Sequence, residues 1–334
     1  MDPLSQGLLG GILAGAFSKK KKFKIAITCG VIGGLAPDLD ILIKSSQDPL
    51  LSIDFHRQFS HSIFFSPIGG FLVSLFLFIF LKKKSSFKQI YFFSFLGYFS
   101  HGILDACTSY GTVLFWPFSD FRVGLNIISI IDPLYTGILI IFFLISIFHN
   151  STFTIRIGLF LSIILLSFNF FKYQQVKSYV KTIAKDRGHK IERILLNPTI
   201  GNNFLWRSVY EYKGDYFIDA IYFPLFGKSI LRKGQSVKVI DKETIFPKLP
   251  KNSTQRNDIR RFAYFSQDFI YLHPDFSNVI ADLRYGTLPY DNKSLWGIEI
   301  KENEPNNHVK FKNIRNFNDE IYKEFWEMLK GNFN

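Results

Sequence analysis

Cysteine is scarce in this 334-residue sequence, and one acidic residue type is missing from its first half. The two cysteines, Cys29 and Cys107, lie in apolar segments and form no CxxC spacing. This argues against a disulfide framework and against a thiolate metal site. Residues 1–171 contain no Glu and carry 13 Lys and Arg against 8 Asp. Residues 172–334 carry 27 Lys and Arg against 19 Asp and Glu, the mixture of an ordinary soluble domain.

This change in composition predicts two domains with a boundary near residue 172. Residues 1–171 are expected to form a transmembrane helical domain, and residues 172–334 a smaller soluble domain. The net charge of +13 raises the question of nucleic-acid binding. However, much of the basic excess of the first half lies in two clusters, residues 19–24 and 82–88, which separate apolar segments. Loop topology explains such clusters better, so no nucleic-acid partner is expected.

Several apolar segments of the first half approach the length of a membrane helix, which is about 20 residues. The segment 62–81 is uncharged throughout. The segments 4–17 and 25–43 are rich in glycine and small residues, which let helices pack closely in lipid. A membrane α-helical bundle of about five or six spans is therefore expected. The candidate spans are residues 4–17, 25–43, 62–81, 90–104, 134–148 and 157–171.

The basic clusters predict an orientation for this bundle. If residues 19–24, residues 82–88 and Arg156 mark cytoplasmic loops, the other segment ends all lie on the opposite face. That face collects the ionisable residues Asp2, Asp38, Asp40, Asp54, His56, Arg57, His61, His101, Asp105, Asp120 and Asp132. Six spans would also place the soluble half on this outer side.

The second half has the pattern of a soluble α+β domain with an antiparallel sheet. Strand-like alternation occurs at residues 204–212, 216–223 and 237–240, interrupted by glycine and proline. A basic segment, residues 172–185, is expected to be helical, and so is the segment 318–329.

Two aspartates in the stretch APDLD are the first candidate ligands for a metal ion. Asp38 and Asp40 are two residues apart, and in an extended turn this spacing points both carboxylates the same way. Paired carboxylates suit a divalent cation. The alternative is that one aspartate caps a helix, because proline followed by an acidic residue is a common helix start.

The stretch DFHRQFSHSIFF places two histidines and an arginine at the edge of a strongly apolar segment. His56 and His61 are about 140° apart on a regular helix and cannot share one face. His56 is therefore expected in a loop, with Ser60 capping the next span and His61 opening it. Arg57 is a candidate to hold an anion, since its planar guanidinium suits phosphate. The alternative is a set of interfacial polar residues that reach toward water.

The stretch SHGILDACTSYG supplies a further pair. His101 and Asp105 are four residues apart and share one helix face, so they can provide two ligands, or one ligand and the group that orients it. The alternative is a hydrogen-bonded pair that holds helices together in lipid. Asp132 precedes a proline at the start of a later span, where capping is the first expectation and ligation the second.

Together these residues predict a metal centre at one face of the helical domain. Mixed imidazole and carboxylate ligation fits Zn²⁺ best, with Mn²⁺ or Mg²⁺ as alternatives. A divalent ion with an open position activates water and polarises an ester, so hydrolysis is the natural chemistry. The remaining histidines, His149, His189, His273 and His308, lack matching partners and are expected to be structural.

An ordered set of motifs resembles a known family. MDPLSQGLLGG, GLAPDLD, HRQFSHS, GYFSHGILDACTSYG, LFWPFSD and IIDPLYT, followed by NPTIGNNFLWR in the second half, are similar to the bacterial membrane-bound metal-dependent hydrolases of the YdjM-like group. The resemblance implies a multi-pass protein of the bacterial inner membrane with hydrolase activity. It carries over six candidate ligands or catalytic groups, namely Asp38, Asp40, His56, His61, His101 and Asp105.

One position departs from the family pattern. Where the family usually has a histidine shortly after the opening Met-Asp-Pro, this chain has Gln6, and an amide oxygen binds zinc poorly. Either one metal position is lost or Gln6 serves only to orient a ligand. Asp2 is retained and is a further candidate ligand, as is Asp132.

The functional expectation is a membrane hydrolase that cleaves an ester, more specifically a phosphoester, of a lipid or membrane-associated substrate. Arg57, His56 and Asp105 are the candidate catalytic residues, with Arg57 steadying an anionic transition state. The alternatives are a metal-binding membrane protein with a transport or structural role, and a scaffold whose soluble domain recruits a partner. The lipid bilayer is the expected environment.

Overall fold

A computed structural model describes residues 1–333. The chain divides into two compact units. The first unit comprises Met1–Ile43, Phe55–Lys172 and Ile200–Asn202. The second comprises Lys44–Asp54, Tyr173–Thr199 and the chain from Asn203 onward. The short segment 44–54 therefore belongs to the second unit, although it lies between two apolar segments of the first half.

Helices make up the regular structure of the first half. They are α1 (Pro3–Ala16), α2 (Phe23–Leu35), α3 (Leu51–Phe55), α4 (Ser66–Leu81), α5 (Phe87–Ala106), α6 (Pro133–His149) and α7 (Thr152–Asp186). Short 3-10 turns at Ala36–Leu42 and Phe59–His61 follow α2 and α3. Proline at the first or second position and an aspartate cap start α1 and α6, so the sequence itself fixes where these helices begin.

Glycines bring α1, α2 and α5 into direct backbone contact. A Cβ atom on Gly10 would collide with the carbonyl oxygen of Gly30, and one on Gly97 would collide with the same oxygen. Residues without a side chain at these crossings therefore let three helices approach more closely than bulkier residues allow. Ala14, Ala26 and Cys29 are buried nearby. The expectation that small residues mark close helix packing fits these contacts.

The predicted number of spans is wrong. Within residues 1–333, two helical stretches are long and apolar enough to cross a membrane, Lys20–Leu42 with 23 residues and Thr152–Asp186 with 35. The number is three if the pair Leu51–His61 and Ser66–Leu81, which meet at 89°, forms one broken span. Five or six spans are not supported.

The reason is that the apolar segments fold into shorter helices than their sequences suggest. α1, α4 and α6 have 14, 16 and 17 residues. At 1.5 Å per residue such helices extend about 21–26 Å, less than the roughly 30 Å hydrocarbon core. α5 has 20 residues, but Lys88, His101 and Asp105 interrupt its apolar character.

Two four-stranded antiparallel sheets form the second unit. The first, in the order β1-β2-β3-β4, contains Arg193–Pro198, Leu205–Tyr212, Asp215–Tyr222 and Ile230–Lys238. The second, in the order β5-β6-β7-β8, contains Ile270–Leu272, Val279–Asp282, Trp296–Glu299 and Lys310–Asn313. Helices α8 (Thr254–Phe265) and α9 (Asp319–Leu329) complete the unit. Each strand pairs with the next along the chain, which is the simplest antiparallel topology.

Both faces of the first sheet are covered. On one face Val176, Val180 and Ala184, one turn apart along α7, pack against Trp206 and Tyr210 of β2. On the other face Leu195, Val209 and Ile218 pack against β5 and β6. Alternating side chains of β2 thus serve two cores, which explains its continuous burial over the first six residues.

Candidate metal centre

Four side chains from three separate parts of the first unit converge on one point. Asp38, His61, His101 and Asp105 each offer one ligand atom, and these four atoms lie within 4.8 Å of one another. Asp38 lies on the 3-10 turn after α2, His61 on the turn before α4, and the last two near the end of α5. His61, His101 and Asp105 are buried, and the carboxylate of Asp38 is 27% exposed.

The four nitrogen–oxygen distances among these atoms are close to those of tetrahedral coordination. Four ligands at about 2.0–2.1 Å from a zinc ion lie about 3.3–3.4 Å from one another. Asp38 Oδ1 lies 3.4 Å from Nε2 of both His61 and His101. Asp105 Oδ2 lies 3.3 Å and 3.6 Å from the same two nitrogens. The two Nε2 atoms are 2.9 Å apart. Two nitrogens and two oxygens thus surround a space of the size that a divalent ion needs.

Hydrogen bonds on the far side of each imidazole fix which nitrogen faces the centre. Nδ1 of His101 donates to the carbonyl oxygen of Gly34 at 2.6 Å. Nδ1 of His61 lies 3.2 Å from the carboxylate of Asp40, which also accepts a hydrogen bond from Ser60 Oγ at 2.6 Å. With both Nδ1 atoms protonated, both Nε2 lone pairs point inward, the arrangement that metal-binding histidines adopt.

Two lone pairs that face each other at 2.9 Å repel unless a cation lies between them. The site therefore needs a positive charge at its centre, either a shared proton or a metal ion. Asp105 adds to this requirement because its Oδ2 makes no hydrogen bond to any described residue, although Arg57 Nε lies 3.2 Å away. The chemistry of this donor set fits a divalent metal ion.

Gln6 contacts the candidate ligand Asp105. Its Nε2 donates to Asp105 Oδ1 at 2.9 Å, and the amino group of Met1 donates to the same oxygen. Gln6 is fully buried, and its Oε1 has no hydrogen-bond partner among residues 1–333. Of the two roles that the sequence leaves open, the contacts fit the one in which Gln6 orients a ligand.

Asp40 and His56 lie beside the centre in an overlapping group. Asp40, His56 and His61 offer ligand atoms within 4.8 Å of one another. Nδ1 of His56 lies 2.8 Å from Asp40 Oδ1, and the backbone N–H of Arg57 donates to Asp40 Oδ2 at 3.2 Å. Both oxygens of Asp40 are thus engaged by the segment that carries His56 and His61, so Asp40 holds that segment in place.

Arg57 is buried with an unusual backbone. Its φ is +64°, in the left-handed region that residues with a side chain rarely adopt. The guanidinium lies against Asp105, donates from Nη1 to Thr108 Oγ1 at 3.0 Å, and lies over the ring of Tyr110. Its positive charge therefore balances the carboxylate of Asp105 in the buried site. Buried strain of this kind is concentrated at functional sites.

Local structure differs from two expectations. The turn that carries Asp38 and Asp40 is a 3-10 helix, where side chains two residues apart point about 120° away from each other. The two carboxylates therefore face different partners and do not point the same way. Ser60 does not cap α4, which begins at Ser66; it lies on a 3-10 turn and donates to Asp40.

Asp2 and Asp132 are placed as helix caps. Asp2 accepts hydrogen bonds from the backbone N–H and hydroxyl of Ser5 at the start of α1. Asp132 accepts from the backbone N–H of Tyr135 at the start of α6. Neither residue belongs to a group of converging metal-binding side chains within residues 1–333.

Other residues support the site without a signal in the sequence. Gly102, between His101 and Asp105, faces the backbone of His61, and a Cβ atom there would collide with the His61 carbonyl oxygen. Arg122 is buried, and its Nη2 donates to the carbonyl oxygen of Gly111 at 3.2 Å. Such contacts form only when segments far apart in the chain fold together. The spacing and composition of the sequence therefore do not predict them.

The family model described as YdjM inner membrane protein matches residues 1–176. These residues include every side chain of the candidate centre. No curated protein and no solved structure matches the chain. Since the matched region covers more than half of the sequence, the chain belongs to the YdjM inner membrane protein family.

Proposed function

We propose that this inner membrane protein is a metal-dependent hydrolase that cleaves an ester, specifically a phosphoester, of a lipid or membrane-associated substrate. The observation that carries the proposal is the convergence of Asp38, His61, His101 and Asp105, whose ligand atoms lie within 4.8 Å of one another. Zn²⁺ is the proposed ion, with Mn²⁺ or Mg²⁺ as alternatives, because two imidazoles and two carboxylates favour a borderline divalent cation.

The residues around the centre prepare it for an ion. Asp40 and the carbonyl oxygen of Gly34 orient the two histidines, and Gln6 orients Asp105. A bound divalent ion supplies Lewis acidity and a nucleophilic water near neutral pH. His56, whose side chain is 35% exposed, connects Asp40 with the surface and is the group of the site that solvent reaches most easily.

Arg57 is proposed to favour binding of a phosphoester substrate. Its guanidinium neutralises Asp105, so the ligand set retains less net negative charge, and an anionic substrate meets less repulsion. A planar guanidinium also presents several donors to phosphate oxygens. The choice of a phosphoester over a carboxylic ester rests on this residue.

Exposed apolar side chains next to the ligands favour a lipid substrate. Asp38 is the most exposed of the four ligands, so a substrate approaches along its side of the centre. Leu39, Ile41 and Leu42, on the same turn, are 62–70% exposed. Apolar side chains that project at an inner membrane protein's site can contact acyl chains while the adjacent carboxylates meet the polar headgroup.

A metal-binding role without turnover is the second candidate. Four protein ligands fill a tetrahedral zinc site, and filled sites of this kind are typically structural, whereas catalytic sites keep a position open. Catalysis at this centre therefore requires that the ion accepts a fifth ligand or that the exposed Asp38 gives way. A transport or scaffold role requires neither.

The test is elemental analysis of the detergent-purified full chain, followed by an assay for phosphate or headgroup release from mixed phospholipids. His101→Ala is expected to lose the bound metal and the activity. His149→Ala, an exposed histidine at the end of α6, is the matched control and is expected to retain both. Protein that binds no divalent ion would overturn the proposal, and bound metal without release of phosphate or headgroup from any lipid would favour the second candidate.

The proposed orientation follows from the two ends of the helices. The basic clusters lie at one end of the first unit, where Lys22 donates to the carbonyl oxygen of Lys84 and Arg156 Nε donates to that of Ala16. The candidate ligands lie at the other ends of α2, α4 and α5. By the positive-inside rule, the metal centre and the second unit are proposed to lie on the extracytoplasmic side of a multi-pass protein.

A further inference from the structure

A second cluster of ionisable side chains lies in the second unit and surrounds Arg261 of α8. Asp48, Asp258 and His308 offer atoms within 4.8 Å of one another, as a metal site would. However, Arg261 Nη1 donates to Asp258 at 2.8 Å and to Asp48 at 3.1 Å. A fixed cation therefore already occupies the carboxylate oxygens, and a metal ion would be repelled from them. The cluster is an ion-pair network.

The network ties α8 to the segment 44–54. Arg261 Nη1 and Nη2 reach the two carboxylate oxygens of Asp48, at 3.1 Å and 2.8 Å, and Nε donates to Asp54 at 2.5 Å. One guanidinium thus holds the middle and the last residue of the segment, with the bidentate geometry that only arginine offers. His308, which lies 2.9 Å from Asp258, holds the carboxylate that orients Arg261.

These ion pairs are partly shielded from solvent, so they can contribute to stability. The side chains of Arg261, Asp48 and Asp54 are 17%, 20% and 29% exposed, whereas fully solvated pairs contribute little. Burial opposes the charge of Arg261, but its hydrogen bonds to the carboxylates of Asp48 and Asp54 outweigh this effect and raise the pKa of the guanidinium. Arg261 therefore stays charged throughout the physiological range.

The segment 44–54 connects two residues that lie beside the metal centre. Asp40 precedes the segment 44–54 by four residues, and His56 follows it by two. These two residues hydrogen-bond to each other beside the metal centre, and Asp40 orients His61. Residues 44–47 are exposed and have no helix or strand structure, so the main-chain path between Asp40 and His56 depends on contacts farther along.

We propose that Arg261 is a positioning residue for the metal centre: by holding segment 44–54 it keeps Asp40 and His56 in place. This inference rests on the proposed metal-dependent function. It makes the second unit part of the apparatus that sets metal affinity, although no ligand comes from its helices or sheets. Loss of a group that orients metal ligands typically weakens metal binding about 10- to 100-fold, and an indirect effect belongs at the lower end.

The experiment measures zinc affinity of the full chain in detergent by competition with a chromophoric chelator. Arg261→Ala is expected to bind zinc about tenfold more weakly. Arg261→Lys is expected to show a smaller loss, since a single ammonium cannot bridge both carboxylates. The matched control is Arg260→Ala, which removes the exposed pair between the neighbouring residue of α8 and Glu243, and it should retain wild-type affinity.

The outcomes separate the two proposals. Wild-type protein that binds no zinc would overturn the proposed function and this inference with it. Wild-type protein that binds zinc, with equal affinity in Arg261→Ala, would overturn the inference alone. If Arg261→Ala does not fold, Asp48→Asn decides: it leaves α8 intact, and an affinity like that of the wild type would contradict the inference.

Discussion

At the scale of single residues, the candidate centre depends on groups that do not themselves bind metal. One carboxylate oxygen of Asp105 accepts a hydrogen bond from Gln6, and the other oxygen faces the centre. A fully buried amide in this position orients the carboxylate and partly offsets its charge. Loss of one of these polar partners is therefore expected to weaken zinc binding about 10- to 100-fold.

The first prediction concerns Gln6. Gln6→Leu has a similar size but lacks the amide donor, so Asp105 loses a hydrogen bond and zinc affinity is expected to fall about tenfold. Chelator competition measures the change. Gln89→Leu is the control, because Gln89 is exposed near the other end of α5, where it accepts a hydrogen bond from Ser85. Equal zinc affinity in Gln6→Leu and the wild type would contradict the assigned role.

Sequence reasoning named the candidate ligands at this scale but not all of the residues that support them. The four-residue spacing of His101 and Asp105 places them on one helix face, and that inference needs only helical periodicity. Ser60, Gly34 and Thr108 support the site through contacts between segments far apart in the chain. Serine, glycine and threonine are common residues, so nothing in their local sequence distinguishes these three.

At the scale of helices and turns, glycine sets how closely the segments approach. Gly102 lies between two candidate ligands and faces the backbone of His61. Any side chain at this position pushes the turn that carries His61 away from α5. The 2.9 Å separation of the Nε2 atoms of His61 and His101 therefore depends on the absence of a single methyl group at Gly102.

The second prediction follows from this contact. Gly102→Ala is expected to destabilise the protein by about 1–3 kcal/mol, the usual effect of overpacking, and to weaken zinc binding. Gly137→Ala in α6 is the matched control, because a Cβ atom there meets nothing within 4 Å. Removal of a helix glycine stabilises by roughly 0.5–1 kcal/mol, so the control should be neutral or more stable. Thermal unfolding in detergent and chelator competition measure both effects; an unchanged Gly102→Ala would contradict the contact.

Helices were easier to predict than spans. Apolar composition located the helices of the first half, but length in residues did not translate into length of regular helix. The segment 62–81 loses its first residues to a turn and becomes the 16-residue α4. The segment 157–171 and the basic segment 172–185 join in one helix, α7, because no proline or glycine separates them. Breaks and junctions depend on tertiary contacts that composition does not record.

At the scale of the whole molecule, two units with separate cores respond differently to metal. The core of the helical unit includes Ala14, Ala26 and Ile90, and that of the sheets includes Val209 and Ile218. A ligand that binds only the folded form of one unit stabilises that unit by mass action.

The third prediction is a selective effect of metal removal. A zinc concentration 100 times the Kd stabilises the folded form by about 2.7 kcal/mol, so a chelator should lower the Tm of the helical unit. The sheets should show a much smaller change, because the second unit influences the centre only through the segment 44–54. Calorimetry, combined with hydrogen exchange of β2 and β3, separates the two transitions. His101→Ala, which lacks a ligand, should not respond, and a chelator effect that persists in this variant would contradict the assigned centre.

The fourth prediction concerns orientation. A cysteine at Asp120→Cys, in the exposed loop on the side of the metal centre, should react with a membrane-impermeant thiol reagent in intact spheroplasts. Lys83→Cys, in a basic cluster, should react only after the membrane is permeabilised. The native Cys29 and Cys107 are buried and provide little background. The reverse pattern of labelling would contradict the proposed sidedness.

The direct backbone contact among α1, α2 and α5 bears on the choice between hydrolysis and ion transport. Gly10, Gly30 and Gly97 bring the main chains together along the seam that leads away from the candidate ligands. A conduit along this seam would have to separate the three helices and expose their glycine surfaces. We therefore expect an ion bound between His61 and His101 to enter and leave from the same side of the helices. This favours a resident cofactor over a transported ion.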